Sequence, residues 1–155
     1  MCEVLHRTYE GQICSVAGAL EVLGERWTML IVRDAFLGVR RFEGFQRRLG
    51  ISRGVLTARL EWLCEENVLE RRRYQERPER FEYRLTEKGR DLWPVLMALM
   101  RWGDRYEAEG GPPRMVFHRD CGGEVTDRLT CAKCDVELTV RDVETRAGPG
   151  ARAAA

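Results

Sequence analysis

Leu56, Leu60 and Leu63 recur at i, i+4 and i+7, the spacing of a single apolar stripe on an α-helix. Ser52 before them is a favoured N-cap, and Leu49-Gly50-Ile51 interrupts the preceding pattern. Glu65, Glu66 and Asn67 close this helix, Asn67 being suited to a left-handed cap. Upstream, Phe42, Phe45 and Leu49 predict a short helix that packs against it. Downstream the period changes from 3.6 to 2. Leu69-Glu70-Arg71-Arg72-Arg73-Tyr74 and Arg80-Phe81-Glu82-Tyr83-Arg84-Leu85 read as two strands joined by Glu76-Arg77-Pro78-Glu79, with Phe81, Tyr83 and Leu85 turned inward.

On either side of this block lie further helices. Ser15 is expected to cap a helix through Val16, Ala19, Leu20 and Leu23 that Gly24 ends. Trp27 to Leu37 reads as an apolar helix with Trp27, Leu30, Ile31 and Ala35 available for burial, and Trp27 is better read as a core aromatic than as part of a ligand cage. Thr86 is expected to cap a last long helix containing Leu92, Trp93, Leu96, Leu99, Met100 and Tyr106. Pro94 within it must kink the helix or start a new segment. The fold class is therefore mainly α with a small β-hairpin wing (α+β). Expected boundaries are a flexible N-terminus at 1–13, the main domain at 14–107, a linker at 108–116, a small C-terminal β module at 117–144 and a disordered tail at 145–155.

Charge sharpens the picture. The 155 residues carry a net charge of only +1, yet Gly38 to Leu60 holds six Arg and one acidic residue. A basic patch on a nearly neutral protein suits phosphate contacts. The order of short helix, turn, second helix and arginine-rich ribbon is best explained by binding of double-stranded DNA. Ser52, Arg53, Gly54, Thr57 and Arg59 lie at or near the start of the second helix, where side chains can reach base edges in the major groove. Arg40, Arg41, Arg47, Arg72, Arg77 and Arg80 are placed to contact phosphates. Arg59 flanks the apolar stripe and has the alternative of pairing with a glutamate, and the ribbon taken alone could be a solvated surface laced with Arg and Glu pairs.

A second chemistry lies near the C-terminus. His118-x2-Cys121, nine intervening residues and Cys131-x2-Cys134 supply four ligands on two turns, the pattern of a structural zinc site with every position filled. A bridging disulfide or free thiols are the alternatives. The segment has few large apolar side chains, so a metal would supply stability that its core lacks. No stretch reaches the roughly eighteen apolar residues of a membrane span, and no apolar leader opens the chain, so the expected setting is the cytoplasm.

Several motifs together are similar to the HxlR family of bacterial winged-helix regulators. They are Cys14-Ser15-Val16-Ala17, Gly24-Glu25-Arg26-Trp27-Thr28-Met29-Leu30-Ile31-Val32-Arg33-Asp34, Arg41-Phe42, Leu56-Thr57-Ala58-Arg59-Leu60 and Glu82-Tyr83-Arg84-Leu85-Thr86-Glu87-Lys88-Gly89. Asn67 stands where the family usually has Gly. The resemblance implies a winged helix-turn-helix and a homodimer formed through the first and last helices. It also implies repression by occupying a pseudo-palindromic operator, and a cysteine, here Cys14, that can answer an oxidant, an electrophile or another small-molecule signal. A quiet Cys14 thiol is the alternative. The C-terminal module resembles a zinc ribbon with His in place of the first Cys. Two other function classes are the alternatives: a zinc-dependent protein-interaction adaptor on the same scaffold, and a thiol-based redox enzyme using Cys14. The arginine excess argues against the first. No partner histidine near Cys14 argues against the second, so no enzymatic activity is expected.

Overall fold

The computed structural model describes residues 9, 11 and 13–151. Most of the expected flexible N-terminus, and the last four residues of the expected tail, lie outside them. The chain divides between Gly89 and Arg90 into two compact units.

The first unit runs α1 (Ser15–Leu23), α2 (Thr28–Phe36), α3 (Phe42–Leu49), α4 (Arg53–Glu65), β1 (Leu69–Gln75) and β2 (Arg80–Leu85), with the single turn α5 (Glu87–Arg90) crossing the boundary. Its core is the predicted stripe of α4 closed by its neighbours. Leu56, Leu60 and Leu63 are fully buried, together with Ile31 and Val32 of α2, Phe45 of α3, and Val68 and Leu69. Burial of each such side chain contributes about 1.5–3 kcal/mol. The joint between α3 and α4 follows the sequence. Gly50 ends α3 in the left-handed region, Ile51 is buried, and Ser52 Oγ accepts the Val55 N–H at 3.3 Å. Trp62 Nε1 donates to the Val22 carbonyl at 3.1 Å, which fastens α1 to α4.

Three local expectations needed correction. The cap of α1 is Cys14, whose Sγ accepts the Ala17 N–H at 3.3 Å, so Ser15 is the first helical residue. On α2 the buried side chains are Thr28, Ile31, Val32 and Asp34, whereas Trp27, Leu30 and Ala35 are only half-buried. Asp34 has no exposed side-chain surface and lies 2.9 Å from Arg33 and 3.2 Å from Arg48. A buried carboxylate is tolerable only with such partners. Arg48 is thereby committed to the joint between α2 and α3.

The third correction concerns Thr86, which caps α5 and not the long helix. Its hydroxyl accepts the Gly89 N–H at 3.0 Å and donates to the Asn67 carbonyl, while its own N–H donates to Val68. Asn67 has a φ of 56°, in the left-handed region expected of it. A Cβ at Gly89 would lie 2.1 Å from the Val68 carbonyl oxygen, so only glycine closes this latch. Lys88 completes it by donating to the Glu66 carbonyl at 2.6 Å.

The second unit contains α6 (Trp93–Tyr106), β3 (Arg114–His118) and β4 (Val143–Ala147). Pro94 sits in the first turn of α6, where its missing N–H costs nothing. The break therefore restarts the helix. Trp93 and Met97 are buried, while Val95, Leu99, Trp102 and Tyr106 form an exposed stripe at i, i+4, i+7 and i+11. Strands β3 and β4 pair antiparallel from Arg114 opposite Ala147 to His118 opposite Val143. They extend past the sequence-based module limits of 117 and 144. Gly148 and Gly150 then hydrogen-bond back to Pro113 and Pro112. Arg101 ties α6 to the module by donating to the Val125 and Thr126 carbonyls and lying 3.1 Å from Asp127. Among the described residues no helix is long and apolar enough to cross a membrane.

Candidate nucleic-acid interface and metal centre

Strand β1 pairs antiparallel with β2, Arg71 opposite Tyr83 and Arg73 opposite Phe81, and the Tyr83 N–H donates to the Arg40 carbonyl at 2.7 Å. That last bond lays the turn before α3 along the wing. The result is an open cleft of about 1510 Å³ bounded by this turn, α3, the outer face of α4 and the wing. Seven arginines line it, Arg40, Arg41, Arg47, Arg48, Arg53, Arg71 and Arg80, against five glutamates, so its lining is net cationic. Three of the guanidiniums rest on rings: Arg41 over Tyr74 at 4.8 Å, Arg53 over Phe42 at 4.8 Å and Arg71 over Phe81 at 3.6 Å. Such stacking fixes a cation in place while leaving its edge donors free.

The residues singled out from sequence fall into two groups. Arg40, Arg41, Arg47, Arg53, Thr57 and Arg80 are brought together in the cleft. Ser52 and Gly54 are exposed at the start of α4, and nothing lies within 4 Å of where a Cβ on Gly54 would be. Arg59, Arg72 and Arg77 lie outside the lining. Arg59 turns toward Glu25, 4.0 Å away, and Arg72 pairs with Glu70 at 2.6 Å. Sequence reasoning passed over Arg71 and Arg48. Strand alternation sends Arg71 and Arg72 to opposite faces, but alternation alone does not say which of them lines the cleft. Cys64 also reaches the cleft, and burial pushes both its thiol and the Tyr83 phenol up from their ordinary values.

In the C-terminal module two turns have the same hydrogen bonding. The His118 N–H donates to the Gly123 carbonyl at 2.7 Å, and the Gly122 N–H returns to His118 at 2.8 Å. Thirteen residues on, the Cys131 N–H donates to Val136 at 2.9 Å and the Asp135 N–H returns to Cys131 at 2.9 Å. Gly122 and Asp135 both adopt positive φ, 69° and 57°. The sequence signalled the first turn through its paired glycines but gave no such sign at Asp135. Gly123 is needed for close approach, since a Cβ there would lie 2.5 Å from Cys131 Sγ.

These matched turns aim four ligand atoms at one point. His118 Nδ1 lies 3.2 Å from Cys121 Sγ and 3.4 Å from Cys134 Sγ, and Cys121 Sγ lies 3.3 Å from Cys131 and 3.7 Å from Cys134. All four atoms fall within 4.8 Å of one another, so the cluster is positioned to hold a metal ion. His118 turns Nε2 on its other side toward Asp120, 3.7 Å away and beyond hydrogen-bond range. Burial raises the Cys131 thiol, but hydrogen bonds from the Cys134 and Lys133 backbones and from the neighbouring thiols outweigh it and bring it down to about 6. A thiol already inclined to ionise is a ready ligand.

Cys14 is exposed at the start of α1. It belongs to neither the cleft nor the metal cluster.

A recognition helix docked on a three-helix core, with a two-stranded ribbon beside it, defines a winged helix-turn-helix regulator of the α+β class. The chain belongs to the HxlR-like helix-turn-helix family, whose model matches residues 22–110. It is similar to the HTH-type transcriptional regulator Rv3095 of Mycobacterium tuberculosis, itself uncharacterized, at 48% identity over 97% of this chain and 94% of that one. That span takes in the metal cluster. Among solved structures it resembles PA1607, a candidate transcription factor, with 39% identity, a TM-score of 0.68, and 85% of this chain and 93% of that chain covered. HypR, named as a redox regulator, matches in its reduced form with 31% identity and a TM-score of 0.56 over 59% of this chain and 92% of that chain. The protein is thus a helix-turn-helix transcriptional regulator with a zinc-ribbon-like β module that carries a metal-competent cluster.

Proposed function

We propose that the protein is a homodimeric repressor acting in the cytoplasm, each protomer setting the start of α4 into the major groove of one half of a pseudo-palindromic operator. The arginine-lined cleft between α4 and the wing carries this reading. Arg53 and Thr57 would meet base edges or adjacent phosphates, and Ser52 and Gly54 would let the backbone come close. Arg40, Arg41, Arg47 and Arg80 would take phosphates, with Arg77 reaching further along the duplex. Arg59 and Arg72, engaged by glutamates, would add mainly to the local field. The exposed stripe on α6 supports the dimer, as do Val16 and Leu20 exposed on α1, because apolar surface of this extent marks an interface.

Zinc fits the C-terminal cluster. Bonds of about 2.3 Å to sulfur in a tetrahedron give edges of about 3.8 Å; four of the separations between ligand atoms are 3.2 to 3.7 Å and all lie within 4.8 Å, close to that before any ion draws them into register. His118, Cys121, Cys131 and Cys134 fill four positions, which suits a structural ion that holds the two turns together. Cys14 would be the input. Its exposure at a helix start, and the resemblance to HypR, named as a redox regulator, support a thiol that answers oxidants or electrophiles.

Gel-shift titration against the duplex upstream of the gene tests the core of this proposal. Arg53→Ala should weaken binding by about tenfold or more and relax base preference, as loss of one good base contact does. Unchanged affinity and preference would sink the assignment of α4. Sedimentation of the free protein should give a dimer.

A further inference from the structure

The wing presents its arginines in two different states. Arg72, Arg73 and Arg84 are held by carboxylates, Arg72 by Glu70 at 2.6 Å, Arg73 by Glu79 at 3.3 Å and Arg84 by Glu82 at 2.6 Å. Arg71 has no carboxylate within 4.0 Å among the described residues. Its guanidinium lies instead over the Phe81 ring, 3.6 Å from the centroid, the shortest of the three stacks in the cleft.

Placement in the cleft separates the neighbours more firmly than pairing, because exposed ion pairs stabilise little and can be exchanged for a phosphate. In the antiparallel register Arg71 stands opposite Tyr83 and Arg72 opposite Glu82. Successive side chains of a strand leave on opposite faces. Arg71 lines the cleft with Thr57, Glu61 and Cys64 of α4, whereas Arg72 is absent from the lining although Glu82 opposite it takes part. Stacking occupies one face of the guanidinium plane and leaves the N–H edge open. That edge matches two oxygens of a phosphate, a geometry that a lysine cannot copy.

We propose that Arg71 is a further wing residue that grips the DNA backbone beside the recognition helix, and that Phe81 is its positioning residue. This rests on the DNA-binding reading above and adds a binding residue to Arg72, Arg77 and Arg80, the wing arginines expected from sequence. A phosphate between α4 and the wing would meet a cation whose orientation is set before binding, so little side-chain freedom is lost on contact.

The test uses the full chain and fluorescence anisotropy with two labelled duplexes, the gene's own upstream region and poly(dI-dC), titrated at several salt concentrations. Arg71→Ala should weaken binding to both duplexes by about tenfold, the order of one charge-assisted contact. It should also reduce the slope of log K against log salt by about one. Arg72→Ala should leave the slope within error. Arg71→Lys should restore the slope without restoring full affinity. Phe81→Leu should keep the wild-type slope while losing affinity severalfold, and Phe81→Tyr should recover it, a pattern that simple unfolding cannot produce. Thermal melts check that each variant is folded.

Wild-type protein that binds both duplexes and is indifferent to Arg71→Ala overturns this assignment alone. Equal losses in Arg71→Ala and Arg72→Ala overturn it too, since a place in the cleft would then not matter. Wild-type protein that binds neither duplex overturns the DNA-binding reading and this one together.

Discussion

The winged helix and the C-terminal β module reach order by different means. In the winged helix, eight apolar side chains from α2, α3, α4 and the start of the wing are at most 1% exposed. Between Arg114 and Ala151 the buried apolar side chains are Val116, Cys131, Leu138 and Val143, and one of these four belongs to the cluster positioned to hold a metal ion. The first region follows the ordinary rule that burial of apolar area offsets chain entropy. The second cannot bury enough, and its matched turns converge on a His and three Cys instead. The two regions should therefore fail independently, one when its core is cut and the other when its ligand set is broken.

Breaking the ligand set should have the largest effect. Cys131→Ser, or treatment with a strong chelator, should abolish the order of the module. The apparent stabilisation by a structural zinc, on the order of 10 kcal/mol, is at least as large as what burial of Val116, Leu138 and Val143 supplies at about 1.5–3 kcal/mol each. Elemental analysis should find about one zinc per wild-type chain and none in the variant. Hydrogen exchange should then show amides of β3 and β4 losing protection while those of α4 keep theirs. Retained protection in a metal-free module would erase the contrast.

The reciprocal cut is Leu60→Ala. Removing a fully buried side chain from α4 should cost the winged helix about 2–5 kcal/mol, read as a shift in the urea midpoint of its unfolding. The metal content should not change. A loss of metal along with the core would mean that the two regions are one cooperative unit.

Much of this contrast was legible in the chain itself, and the exceptions have physical causes. Ser52, the stripe from Leu56 to Leu63 and the left-handed Asn67 were readable because local spacing and capping decide them. The four ligands were readable because metal geometry restricts spacing. Asp34 was not, since a charged residue reads as exposed until Arg33 and Arg48 are known to surround it. Nor was the choice between Arg71 and Arg72, which depends on the register of β1 against β2. The division of the last helix into α5 and α6 was foreseen only as an effect of Pro94, whereas the Thr86–Gly89 latch depends on tertiary contact with Val68.

That latch offers a smaller perturbation, confined to the winged helix. In Gly89→Ala the new methyl would meet the Val68 carbonyl oxygen, so something must shift. Such overpacking costs about 1–3 kcal/mol. A lower melting temperature for the winged helix with unaltered metal content is the expected result. An unchanged melt would mean that α5 adjusts freely and that the glycine has no structural role.

The smallest expected change separates stability from function within the recognition helix. Gly54 lies in the first turn of α4, exposed, with open space where a Cβ would stand. Alanine is the better helix former by up to about 1 kcal/mol, less near an end, so Gly54→Ala should raise the stability of the winged helix by about 0.5 kcal/mol. The same methyl would project from the end of α4 proposed to enter the major groove, where the backbone has to come close. Affinity for the upstream duplex should therefore fall by about tenfold, the order of one steric misfit. Calorimetry and anisotropy should move in opposite directions. Glycine at this position would then be retained for binding against the preference of the helix, and a variant that is more stable and binds equally well would remove the start of α4 from the interface.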